Sequence, residues 1–262
     1  MTNRAGRDTL LFAGLAVLIA LVFAAQGAAF GTRMLVEASC LAIVALGLTI
    51  QWGYAGLFNV GTMGFIAIAA YTTVLVSFPV NGAFWMSNGP ALLGKTALYL
   101  VVGGLLTYAM SQTHRLGLPK KIRTLLALIA GAATYIAVSG ALGQAAAHIE
   151  GEAGFVGGFG LPVWIGWLGG GIVAGALGWV MGRITLGLRA DYMAIATLGI
   201  AEIVKAYLKN ADWLTRGTLT VSPLPWPVPT PAELGFVMSR AAYLSVTAVM
   251  IVVIFVLLQR AW

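Results

Sequence analysis

The chain has 262 residues, of which 60% are hydrophobic and 9% charged, with a mean hydropathy of +0.93 and a formal net charge of +7. Soluble domains carry about 25% charged residues, so this composition excludes an ordinary soluble protein and places the chain in the membrane class. The positive charge is scattered beside apolar runs, which excludes a nucleic-acid surface, and the lone Cys40 excludes an intrachain disulfide or a cysteine-rich metal site.

Counted in crossings of roughly 20 residues, the sequence predicts about eight spans, at roughly 10–30, 34–52, 62–79, 91–110, 124–143, 163–182, 192–209 and 238–258. The expected fold is an all-α, polytopic transmembrane helical bundle forming a single domain over 1–262. The first span follows Arg4 and Arg7 and outruns a signal-peptide core, so it reads as a transmembrane helix. Glu37 lies three residues into the second span and reads as an interface residue. That span then meets Gln51-Trp52-Gly53-Tyr54-Ala55-Gly56-Leu57-Phe58-Asn59-Val60-Gly61-Thr62-Met63-Gly64. Gly53, Gly56, Gly61 and Gly64 each weaken a helix by about 1 kcal/mol relative to Ala. A broken helix persists in a bilayer only where its freed backbone groups face protein or a water-filled cavity. The segment near 53–64 is therefore expected on a pathway through the protein. Asn59, Thr62 and Tyr71 are its candidate lining residues, each polar within an apolar run.

Further along, Gly89-Pro90-Ala91-Leu92-Leu93-Gly94-Lys95-Thr96 matches the phosphate-loop pattern letter for letter. That chemistry needs a buried strand before the loop, and here a Trp-containing loop precedes it and an apolar span follows. The match is read as coincidental, with Lys95 reaching to the membrane interface. The segments 145–162 and 210–235 read as long outer loops. The second, with Pro223, Pro225, Pro227, Pro229 and Pro231, must be extended; it is either a connector or part of a docking surface. The sixth span is Gly-rich, and Gly171/Gly175 and Gly178/Gly182 are expected to let helices pack closely. The seventh span, entered through the basic stretch Arg183–Arg189, offers Thr197 and Glu202 as further pathway candidates. Glu202 has Lys205 three residues on, which leaves a local ion pair as the other reading. His114 and His148 fall in predicted loops on opposite sides. No metal-ligand set and no catalytic constellation is visible, so no catalytic residue is assigned. Basic residues favour a cytoplasmic N-terminus, with Arg4, Arg7, Lys120, Lys121, Arg123, Arg183, Arg189 and Arg260 inside, and Arg115 in the clearest inner loop.

Two stretches together resemble the permease subunits of bacterial branched-chain amino-acid ABC transporters, the LivM-type branch. One is Ala45-Leu46-Gly47-Leu48-Thr49, Gly53-Tyr54-Ala55-Gly56, Gly61-Thr62, Phe65 and Ala70-Tyr71. The other is Leu188-Arg189-Ala190-Asp191-Tyr192, Ala194-Ile195, Thr197-Leu198-Gly199 and Glu202-Ile203. The resemblance is strongest over 34–75 and 183–210. It implies an inner-membrane permease working by alternating access, with a second permease subunit (LivH-like), two cytoplasmic ATPase subunits and a periplasmic substrate-binding protein. ATP and Mg would be bound by the ATPases, with no cofactor in this chain. A related importer for urea or short amides is the alternative substrate reading, and a stand-alone channel or secondary transporter a third. Thr62 stands where the family often has His, and Leu214–Val221 departs from the family's outer-loop pattern. The basic cytoplasmic segment that contacts the ATPase in the family has no match before Trp262, so the chain is expected to be C-terminally incomplete.

Overall fold

The computed structural model describes residues 2–112, 119–217, 219 and 221–261, and the side chains of 2–5 and 261 are not among those described. His114, Arg115, Thr218, Thr220 and Trp262 lie outside the described residues. Eleven α-helices and one π-helical turn make up the described secondary structure. They are α1 (Thr2–Gln26), α2 (Ala28–Thr49), the π turn (Ile50–Tyr54), α3 (Thr62–Ser77), α4 (Gly82–Met86), α5 (Gly89–Ser111) and α6 (Lys120–Glu152). These are followed by α7 (Val163–Thr185), α8 (Ala190–Asn210), α9 (Asp212–Thr215), α10 (Pro231–Leu234) and α11 (Phe236–Ala261).

The chain is an all-α polytopic bundle. Among the described residues six helices are long and apolar enough to cross a membrane: Gly6–Gln26, Ala28–Tyr54, Gly89–Ser111, Lys120–Glu152, Val163–Thr185 and Phe236–Arg260. The other two expected spans form helices but fall short. The break before Thr62 leaves α3 only 16 residues, and α8 carries Asp191, Glu202, Lys205 and Lys209. The surface is apolar where a soluble protein's would be polar: Leu10 is 74% exposed, Leu168 71% and Ile172 73%. Thr96, Thr197, Thr215, Ser239 and Thr247 are buried. Small hydroxyl residues inside and leucines outside are what lipid as solvent selects.

The chain forms two compact units. The first comprises Met1–Thr62, Thr185–Leu198 and Trp226–Trp262. Within it α1 and α2 form a hairpin turning on the single residue Gly27, whose φ of +81° is a conformation that favours glycine. The turn therefore comes at Gly27, before the predicted 31–33. Phe23 fills the space over Gly31. Helix α11 packs on α2, where the Ser39 and Thr247 hydroxyls lie 2.9 Å apart and Arg240 Nη1 donates to Ala29 O at 2.6 Å.

The second unit comprises Met63–Ile184 and Gly199–Pro225. Its core pairing is α5 on α6, with Gly103 set against the Thr134 side chain. Helix α7 approaches α3 at Gly166 and Gly170. A Cβ at Gly170 would lie 2.6 Å from Ala69 O, and one at Gly166 would strike Ser77 Oγ. Thr73 Oγ1 also donates to Gly166 O at 3.1 Å. Around Gly171 and Gly175, by contrast, the chain leaves open space, and Gly178 has only Phe65 near it. The loop predicted from 145 begins later, because α6 runs on through Glu152. His148 is therefore helical, with its Nε2 3.4 Å from Glu152 Oε2. The segment 89–96 is the start of α5, so the amides beyond its first turn are spent on the helix.

Candidate functional site

The site is built where α2 stops being an α-helix. Thr49 Oγ1 donates back to Ala45 O at 2.8 Å, a side-chain bond that loosens and bends a helix. The next turn widens: Ala55 N–H donates to Ile50 O at 3.1 Å, the i to i+5 pattern of a π-helix, which is rare and concentrates at functional positions. Gly56 then takes a φ of +64°. Helical bonding ends there and resumes at Thr62. Gly53 sits inside the π turn, and Trp52 and Phe58 meet edge to face across the break, 4.8 Å between centroids.

The interruption carries its own replacement hydrogen bonds, which irregular backbone needs wherever water is excluded. Leu57 N–H donates to Gln51 O at 2.9 Å and Asn59 N–H to Leu57 O at 3.0 Å. The Asn59 carboxamide works at both ends: Nδ2 donates to Gln51 Oε1 at 2.9 Å, and Oδ1 accepts the Gly61 N–H at 2.8 Å. Thr197 on α8 supplies the remaining bond. Its Oγ1 accepts the Val60 N–H at 3.2 Å and donates to Ala194 O at 3.0 Å. Gly61 lies so close to α8 that a Cβ there would sit 2.5 Å from Thr197 O. All these residues belong to the first unit.

The structure thus brings Asn59, Gly61 and Thr197 into one clasp. Thr197 is 2% exposed, with its hydroxyl engaged on both sides. Thr62 opens α3 and is half-buried. Tyr71 lies nine residues along α3, half-buried, in the second unit. In that same unit Gly64 meets α8 at Ala201, a notional Cβ falling 2.9 Å from the Ala201 Cα. Glu202 accepts a 2.8 Å bond from Lys205 Nζ, and both side chains are exposed. Gln51 is the member that sequence reasoning passed over. The signal for it was a second carboxamide eight residues before Asn59, on the other side of the break.

The clasp contains only neutral amides and a hydroxyl. Among the described residues no group of three or more His, Cys, Asp or Glu side chains could hold a metal ion. The arrangement holds a non-helical backbone segment at a fixed place beside α8. A family model described as branched-chain amino acid transport system, permease component, matches residues 30–261. Neither the curated proteins nor the solved structures contain a match to the chain.

Proposed function

Because the chain belongs to the family of permease components of branched-chain amino acid transport systems, we propose that it is a LivM-type permease subunit of an ATP-driven importer. It would translocate hydrophobic, branched-chain amino acids across the bacterial inner membrane by alternating access, with its N-terminus in the cytoplasm. Its partners would be a second permease subunit, two cytoplasmic ATPases that bind ATP and Mg, and a periplasmic binding protein. The observation that carries this reading is the hydrogen-bonded helix break at 55–61, which lies within the matched residues. Interrupted helices recur in transporters at the places where substrates and ions are handled. A break furnished with neutral amides suits a zwitterion with an apolar side chain, since no fixed charge holds back either of its ionic groups. Asn59, Thr62, Tyr71, Thr197 and Glu202 remain the residues proposed to act along the path, Thr197 by holding the break in place.

The test is uptake of radiolabelled leucine and urea in cells lacking the gene, with and without complementation. Leucine uptake is lost and restored, and isoleucine and valine compete for it. Loss of urea uptake with leucine untouched would keep the permease and replace its substrate. Leucine uptake that survives loss of the ATPases would refute the ATP-driven reading.

A further inference from the structure

The strip Val156–Leu161 does not stand clear of the membrane helices. Its amides donate to the last turns of α3 and the residues just after: Phe159 N–H to Leu75 O at 3.0 Å, Leu161 to Val76 O at 3.0 Å, Gly160 to Phe78 O at 2.9 Å and Gly158 to Pro79 O at 3.2 Å. Four consecutive amides are thus paired, and the carbonyls that a helix end leaves open are partly filled. Asn81 Nδ2 ties the two segments further, donating to Ala153 O at 3.0 Å and Phe155 O at 2.7 Å.

Helix α3 is short: its 16 residues reach about 24 Å at 1.5 Å per residue, less than the roughly 30 Å hydrocarbon core. The strip is bonded back to Leu75 and Val76 in its last turn, so it stays against the end of this apolar helix. Paired backbone is the condition for irregular chain in contact with lipid.

The side chains carried there match. Phe159 is 58% exposed, Leu161 44%, Val80 55%, Trp85 49% and Met86 92%. The Trp85 and Phe159 rings lie 6.2 Å apart. In α4, Phe84 turns inward at 3% exposure while Trp85 and Met86 face out. No charged residue occurs from Phe78 to Gly94 or from Ala153 to Gly182. Exposed Trp and Phe side chains on a membrane-spanning chain belong to the membrane–water interface.

We propose that α4 and the strip Val156–Leu161 form a lipid-embedded collar, with Trp85, Met86 and Phe159 inserted in the bilayer interface at the C-terminal end of α3. The inference rests on the chain spanning a membrane and is independent of what it transports. Under the proposed orientation the leaflet is the outer one.

The experiment uses the full chain with Cys40→Ser, spin-labelled at Met86→Cys and reconstituted in vesicles of phosphatidylethanolamine and phosphatidylglycerol. The label is expected to be relaxed more by oxygen than by a water-soluble nickel chelate, in the order seen at lipid-facing Leu168→Cys and reversed at Glu152→Cys. Phe159→Cys is a second site should the first variant reconstitute poorly, with the same order expected. Greater relaxation by the nickel chelate in these vesicles would overturn the proposal. So would shielding that develops only when a soluble binding protein is added, which would make the patch a protein-docking surface.

Discussion

At the scale of single residues, Asn59 and Thr197 divide the work of holding the break. Asn59 bridges Gln51 and the Gly61 amide, so it joins the two sides of the interruption. Thr197 receives the Val60 amide, so it fixes the interruption to α8. Thr197→Val has nearly the same shape but removes the acceptor for that part-buried N–H, a loss of about 1 kcal/mol. Leucine uptake by Thr197→Val is expected to fall, with Thr197→Ser restoring it because the hydroxyl returns. Asn59→Leu should lower uptake while the protein stays in the membrane, as read by immunoblot of the membrane fraction. Unchanged uptake in both variants would separate the clasp from transport. Of this site, Asn59, Gly61 and Thr197 are legible in the sequence as polar or permissive residues in apolar runs. That Asn59 bonds Gln51 is not, because a carboxamide beside a break has many reachable partners and only the path of the chain selects one.

At the scale of elements, the glycines of α7 are not equivalent. Gly170 meets the backbone of α3, with Ala69 O 2.6 Å from a notional Cβ, whereas Gly171 has nothing within 4 Å. Gly170→Ala is therefore expected to destabilise the chain by about 1–3 kcal/mol, the cost of overpacking a close contact. Gly171→Ala should be neutral or slightly stabilising, since Ala favours a helix by about 1 kcal/mol over Gly. Thermal melts of the two variants in detergent, followed by tryptophan fluorescence, measure the difference, and equal melting temperatures would contradict this account of the α3–α7 contact. The sequence marks α7 as a glycine-rich helix. Which glycines meet α3 depends on how α7 is rotated about its own axis, and a run with glycines at 166, 169, 170, 171 and 175 offers several rotations. The same limit explains the helix ends. Ala145–Glu152 reads as loop because of its glycine and charges, but α6 continues through it, and Glu150 Oε1 there accepts the Trp213 N–H at 3.1 Å.

At the scale of the whole molecule, the proposed orientation is open to direct test. In Cys40→Ser, Glu152→Cys in right-side-out membranes should react with an impermeant maleimide. Gly187→Cys should react only after permeabilisation, and the opposite pattern would invert the topology. What the sequence by itself determined is the solvent: an excess of apolar residues in long runs commits the chain to a bilayer, where helices satisfy their own backbone groups. It also determined where a helix must fail, because dense glycine and an Asn are local properties that act before any packing. What only the tertiary structure decided is how that failure is repaired. The bonds from Val60 to Thr197 and from Asn59 to Gln51 join groups 137 and 8 residues apart. The shortness of α3 and the strip bonded to its end likewise follow from where the break falls and what packs beside it. These depend on positions in space, and residue types along a chain leave them open.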